Sequence, residues 1–242
     1  MSACIDLLSA RAELFRYGKI RLGGKSVKKE RISNNVIRRL PMYLRKLDDL
    51  IYQGVDRISS GELGKQMGLT PSQIRQDFSC FGEFGQQGYG YRVADLREQV
   101  AGILGMHKGF SVVIVGAGNL GHALIGNFGF EEQGFRLVAA FDSDPEIYGS
   151  VIANIPVYDS TTLSDWLKRN HTDIVVLTVP RRIAKSMAET VVECGVKGIW
   201  NFTNIELGLD RPDVRVENIH FSDSLLTLGY FLAEQDNLEH NV

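Results

Sequence analysis

The chain has 242 residues, 44% of them apolar and 23% charged, with a formal net charge of −2; this composition suits a globular protein with a real core and excludes wholesale disorder. No apolar run reaches the roughly 20 residues of a membrane helix, and residues 1–16 lack the uninterrupted apolar stretch of a secretory signal. Cys4, Cys80 and Cys194 are too few and too scattered for a disulfide framework or a zinc ribbon, so a cytoplasmic protein without a metal site is expected, with Cys80 a small buried residue more readily than a redox-reactive thiol.

The near-neutral total conceals a seam. Residues 1–92 hold 16 Lys and Arg against 9 Asp and Glu, a surplus of +7, whereas residues 93–242 hold 11 against 20, a deficit of −9. A basic front attached to an acidic back points to a nucleic-acid-binding module joined to a different one.

Residues 1–31 read as a peripheral basic extension: Gly23–Arg31 is cationic and lacks spaced apolar anchors, while the preceding Leu7, Leu8, Leu14 and Phe15 are spaced as in a short amphipathic helix. Leu40, Leu44, Leu47 and Ile51 then recur at helical spacing, with Pro41 near the start of that helix or at a kink. Ser59-x-x-Glu62 is a capping box that starts a second helix, with Leu63 and Met67 facing inward and Gly68 at its end. Thr70, Pro71 and Gln73 form the start signature of a third helix. Helix, short turn, helix is the outline of a bihelical DNA-binding unit. On the third helix Ile74 and Phe78 face a core, which leaves Ser72, Gln73, Arg75 and Gln76 largely on the other side. Arginine and glutamine are the side chains that address guanine and adenine edges in the major groove. The glycine- and aromatic-rich stretch Phe81–Arg92 suggests a tight hairpin, hence a wing.

From Val93 a helix is expected to run to about His107, joining the two halves and packing on the second. Phe110–Val115 is a continuous apolar run of the kind found in a parallel strand buried on both faces. Gly116-Ala117-Gly118-Asn119-Leu120-Gly121 follows at once and opens a helix. A second strand, Arg136–Phe141, ends at Asp142, 21 residues beyond Gly121. Strand, G-x-G-x-x-G, helix, strand and acid together form the dinucleotide fingerprint. Gly116 permits the turn, Gly118 lets backbone approach a pyrophosphate, and Gly121 allows close helix–strand packing. A carboxylate at Asp142 suits ribose hydroxyls and repels a 2′-phosphate, which favours NAD(H) over NADP(H).

The alternation continues with a helix at Leu163–Arg169, a strand with its exit turn at Asp173–Pro180, a helix at Arg182–Cys194 and strands at Gly198–Thr203 and Val214–Ile219. Strands alternating with crossover helices imply a doubly wound parallel sheet. Thr178, Pro180 and Asn201 leave the carboxyl ends of strands and are second-tier ligand candidates, or structural loop residues. The last helix, about Ser224–Leu238, is so broadly apolar that it must close its own core or cross to a partner.

The chain resembles the Rex family of redox-sensing transcriptional repressors from about Ile32 to Leu232. The resemblance rests on Arg39-Leu40-Pro41-x-Tyr43-Leu44-Arg45, Gln73–Ser79, the Phe81–Tyr91 stretch, Gly116–Gly121, Leu177–Pro180 and Gly195–Phe202. It implies a homodimer of winged-helix and Rossmann domains with a terminal helix exchanged between subunits, in which NADH opposes operator binding and NAD+ permits it. Carried over, Gly116, Ala117, Gly118, Asn119, Leu120, Gly121 and Asp142 would hold the nucleotide. The DNA surface would comprise Arg45, Ser59, Ser72, Gln73, Arg75, Gln76 and Tyr89. The pattern departs at Gln76 and at Gln86-Gln87, where the family is often cationic, and at Asn127 and His220, where some members carry a tyrosine and an acid.

The domains expected are therefore a basic extension (1–31), a winged helix (32–92), a Rossmann domain (93–220) and a dimerisation helix (221–242). The function expected is an NAD(H)-responsive repressor of palindromic operator DNA, with no catalytic or membrane role. Two rival readings stand beside it: an NAD-dependent dehydrogenase, against which stands the lack of a coherent acid–base constellation near the strand ends, and a DNA-binding protein whose nucleotide site has degenerated.

Overall fold

A computed structural model describes residues 32–81 and 89–239. The basic extension, most of the expected wing with Gln86-Gln87, and the last three residues lie outside the described residues. The chain divides into two compact units between Leu104 and Gly105.

The first unit is helical. Helix α1 (Asn34–Tyr52) is capped by Ser33 and carries Pro41 in its interior. Its buried face is Val36, Leu40, Tyr43, Leu44, Leu47 and Leu50. The apolar stripe thus ends on Leu50, and Ile51, expected inside, is exposed. Helix α2 (Ser60–Met67) starts on the expected capping box: Ser59 Oγ accepts from Glu62 N at 3.0 Å, and Glu62 Oε2 accepts from Ser59 N at 3.1 Å. It ends at Gly68 in the left-handed conformation. Helix α3 (Pro71–Ser79) starts from Thr70, whose hydroxyl accepts from Gln73 N. A side chain at Gly64 would meet the Leu69 carbonyl at 2.5 Å, so glycine there lets the turn close onto α2.

Strand β1 (Arg57–Ile58) pairs antiparallel with β2 (Tyr91–Arg92). The strand ending the expected wing region is therefore anchored to a strand that precedes α2, a pairing that local turn signals do not reveal. Helix α4 (Val93–Leu104) follows, shorter than expected. It lies along α1 and belongs to the first unit, with Arg97 Nε donating to Asp48 at 2.8 Å.

The second unit is built on a sheet of seven strands: β3 (Phe110–Val115), β4 (Phe135–Asp142), β5 (Val151–Ile152), β6 (Ile155–Asp159), β7 (Ile174–Leu177), β8 (Gly198–Asn201) and β9 (Arg215–Asn218). Their order is β5-β6-β4-β3-β7-β8-β9, parallel except for the β5–β6 hairpin. Leaving β5 aside, the chain winds outward from β3 in one direction through β4 and β6, then in the other through β7, β8 and β9. This is the doubly wound order, and its reversal lies between β3 and β7.

Alternate residues of the central strands feed two cores. Val113, Val115, Phe141, Val175 and Leu177 pack with helices α6 (Leu163–Arg169) and α7 (Arg181–Glu193), whereas Val112, Ile114, Ala140 and Val176 pack with Ile125 of α5 (Asn119–Asn127). The continuous apolar run of β3 is thereby accounted for: both faces are covered. Helix α8 (Phe221–Glu239) is different. From Phe221 to Gln235 every side chain is exposed, Leu225 at 70% and Leu226 at 71%, so this helix does not close the core of its own unit.

Candidate functional site

The glycine turn connects β3 to α5 at the edge of the reversal point. Gly116 has φ +99°, and its N–H donates to the Phe141 carbonyl of β4 at 2.8 Å. A Cβ on Gly116 would come within 2.7 Å of the Thr178 carbonyl. A Cβ on Gly121 would collide with the Gly116 carbonyl itself. Gly118 differs from both: it is exposed, and nothing of the chain lies within 4 Å of where a Cβ would sit. Two glycines thus let the protein pack on itself, while the third leaves open space in front of the helix start. Gly118 is also the cap of α5 and has no side chain to cover the first amides. Those N–H groups, with the helix dipole behind them, form the kind of cradle that takes a phosphate.

Two side chains fix this turn. Asp142, at the end of β4, accepts from Ala117 N at 2.6 Å through one oxygen and from Asp144 N at 2.9 Å through the other. The carboxylate expected to meet a ribose also holds the loop; each oxygen retains a lone pair for a second donor. Thr178, at the end of β7, donates its hydroxyl to the Gly116 carbonyl at 2.6 Å, with Val115 O a second acceptor at 3.1 Å. Its place is therefore on the frame of the site.

Pro180 caps α7 on the same rim. Asn201 is buried at 1% exposure and its amide is fully used: it donates to Ile205 O and Asn218 Oδ1 and accepts from Thr203 N and Oγ1. As placed, it closes the loop after β8 and offers a ligand neither a donor nor an acceptor.

In the first unit, α2 and α3 with the turn at Gly68–Thr70 form a helix-turn-helix. Ser72, Arg75, Gln76 and Ser79 are exposed along one stripe of α3, opposite buried Ile74, Asp77 and Phe78. Arg75 is held in place, donating to Ser60 Oγ at 3.0 Å and Ser72 Oγ at 3.3 Å. Gln73, expected to face outward, turns back: its Nε2 donates to Asp77 Oδ1 at 2.8 Å. Arg45 and Ser59 are exposed, and Tyr89 is 71% exposed at the edge of the described wing region.

Asp77 is the residue that the sequence reading missed. It is fully buried, with Arg39 Nε at 2.7 Å, Arg39 Nη2 at 2.8 Å, the Tyr43 hydroxyl at 2.7 Å and Gln73 all donating to it. Burial pushes its pKa up, but these hydrogen bonds and the guanidinium charge prevail and hold it below the ordinary carboxylate value. The same contact raises Arg39, while burial and then Asp77 raise the Tyr43 hydroxyl. Cys80, expected to be buried, is exposed just after α3.

Two family profiles match the chain: one described as "Putative DNA-binding protein N-terminus" over residues 31–79 and one described as "CoA binding domain" over residues 107–205. The redox-sensing transcriptional repressor Rex of Clostridium tetani is 48% identical over 209 residues, covering 86% of this chain and 99% of that protein. The Rex protein of Caldicellulosiruptor saccharolyticus is 50% identical over 208 residues, covering 86% of this chain and 94% of that one. The chain belongs to the Rex family of redox-sensing transcriptional repressors.

Solved Rex structures agree. RSP, a Rex-family repressor, has been solved with β-NAD+ and operator DNA and matches with a TM-score of 0.80 at 45% identity, covering 87% of this chain and 96% of that one. RSP with β-NADH matches with a TM-score of 0.80 at 42% identity, over 87% and 99% of the two chains. These relatives are named as repressors, not enzymes.

Within this Rex chain the two departures near the nucleotide unit have local partners. Asn127 ends α5 and bonds back to Ala123 O. His220 meets Asn204 Oδ1 at 3.0 Å and Glu206 Oε1 at 3.5 Å, immediately before α8. Among the described residues there is no cluster of His, Cys, Asp and Glu suited to a metal, and no helix long and apolar enough to cross a membrane.

Proposed function

We propose that the chain is a cytoplasmic homodimeric repressor that binds palindromic operator DNA through two helix-turn-helix units and is released by NADH. The observation that carries this reading is the glycine turn at the β3–β7 reversal, open in front of Gly118 and framed by Asp142 and Thr178. It is the position at which open α/β sheets take nucleotides. Gly116, Ala117, Gly118, Asn119, Leu120 and Gly121 provide the turn and helix start, Asp142 faces the ribose, and Thr178 and Pro180 border the crevice from β7. Asn201 is left out because its amide is spent internally.

The relatives support both ligands: RSP has been solved with each form of the nucleotide and with operator DNA. The profile described as a coenzyme A domain fits the same chemistry, since coenzyme A and NAD share an adenosine diphosphate unit. The carboxylate of Asp142 opposes a phosphate on the adenosine 2′-oxygen, which selects NAD(H) over NADP(H).

Arg75, Gln76 and Ser72 face the major groove, with Arg45, Ser59 and Tyr89 as flanking contacts. Two such units related by a dyad read half-sites about one helical turn, or a multiple of it, apart. The exposed apolar residues of α8 cross to the partner subunit and account for a helix with no covered face in its own chain. A shift of nucleotide form then changes the spacing of the two DNA-reading helices.

The test is a gel-shift series on a palindromic duplex at fixed salt, comparing no nucleotide, NAD+, NADH and coenzyme A. Salt is held constant because phosphate contacts make affinity steeply salt-dependent. The reading predicts that NADH alone lowers affinity; equal affinity in all four conditions would remove it.

A further inference from the structure

The outward stripe of α3 is unequal in what it leaves available. Ser72 accepts from Arg75, Arg75 is shared between Ser60 and Ser72, Ser79 Oγ donates to the Gln76 carbonyl at 2.8 Å, and Gln73 is drawn into the Asp77 cluster. Gln76 lies in the middle of this stripe, one turn from both Ser72 and Ser79, and it is exposed. Among the described residues its side-chain amide has no hydrogen-bond partner, although its carbonyl caps Ser79 and Cys80. The amide carries a donor and an acceptor side by side, the pair that matches N7 and N6 of adenine in the major groove.

The geometry points to Gln76 as the specificity-determining residue of the DNA-reading helix, selecting an A·T pair at one position of each half-site. This rests on the DNA-binding reading above. Gln73 is excluded from the role because its nitrogen is committed to a buried carboxylate and its backbone lies in the first turn beneath Thr70. Arg75 is held by two serine hydroxyls, which leaves the remaining guanidinium donors aimed in a fixed direction. It reads a neighbouring base pair, most naturally guanine. The acid-free, uncharged head of Gln76 adds no attraction to phosphate, so its contribution is to base choice and not to general affinity.

The experiment is a selection from duplexes with randomised palindromic half-sites, using the full chain and its Gln76→Ala and Gln76→Lys variants at one salt concentration. The wild-type protein is expected to enrich adenine at one position per half-site. Gln76→Ala should lose that preference, about tenfold in affinity between A·T and the other pairs, while the remaining consensus persists. Gln76→Lys should shift the same position toward guanine. An unchanged consensus in Gln76→Ala overturns the proposal, as does a loss of affinity that is uniform over all sequences. A wild-type protein that enriches no sequence overturns it together with the DNA-binding reading. Preferences retained at other positions by Gln76→Ala show that the variant is folded.

Discussion

Arg39 and Asp77 meet in a two-pronged ion pair, 2.7 and 2.8 Å, that ties the first helix of the DNA-binding unit to its reading helix. The carboxylate has no exposed surface, and the arginine side chain retains 23%. Four donor groups from three residues converge on Asp77, so truncating one of those residues weakens the support of a buried charge. Arg39→Ala is expected to destabilise the protein by about 3 kcal/mol, and Tyr43→Phe by about 1 kcal/mol, read as shifts in chemical denaturation.

The same cluster sets a pH dependence. Asp77 titrates below its unfolded value, so its stabilisation is complete above the unfolded carboxylate range and is lost as pH falls through the depressed folded value. Melting temperature measured from neutral to acid pH should fall more steeply for the wild type than for Asp77→Asn. Parallel curves would show that Asp77 contributes nothing to acid sensitivity.

Gly118 and Gly121 are expected to separate binding from folding. Gly118→Ala has room for its methyl group and a negative φ of −61° in an extended backbone, so stability should change by less than about 0.5 kcal/mol. The methyl group projects into the space in front of the helix start, and NADH affinity should fall by about tenfold or more. Gly121→Ala drives a methyl group into the Gly116 carbonyl and should cost more than about 2 kcal/mol of stability. Paired melting and NADH titrations decide; a Gly118→Ala protein that binds NADH normally would move the pyrophosphate elsewhere.

Thr178→Val keeps the shape of the side chain and removes the proton donated to the Gly116 carbonyl. The expected loss is about 1 kcal/mol of stability, with several-fold weaker NADH binding because the turn is no longer clamped from β7. Unaltered NADH affinity at reduced stability would make Thr178 a fold residue only.

What the sequence made legible was what repeats or sits close by along the chain. The β3 run, the glycine turn, the Ser59 and Thr70 caps and the crossover helices all depend on neighbours within a few residues, and the elements were found near the expected places. The Asp77 cluster was not legible, because its partners lie 38 and 34 residues away and only the tertiary fold brings them together. That cluster also explains the error over Gln73, whose helical position suggests an outward direction until a buried acceptor draws it back. At Asn201 the sequence leaves two readings open for a related reason: a strand-end position is shared by ligand contacts and loop fasteners, and its hydrogen bonds to Ile205, Asn218 and Thr203 favour the second. The short strands β1, β2 and β5 are two residues each, too few for periodicity to register.

Helix α8 carries the oligomer prediction. Leu225 and Leu228 are exposed in the single chain, so Leu225→Asp with Leu228→Asp should leave the fold of each unit intact. The proposed dimer should dissociate, giving half the mass by light scattering and loss of palindrome binding. A variant that remains dimeric would place the interface on another surface.

The central claim is that the nucleotide and the operator oppose each other through one protein. The most direct measurement is the dissociation constant of NADH, determined by titration on the free protein and again on protein saturated with a palindromic duplex at the same salt. Linkage requires the duplex to weaken NADH binding by the same factor by which NADH weakens duplex binding, about 5–150-fold for a typical allosteric coupling. An NADH affinity that is identical with and without the duplex would contradict the account.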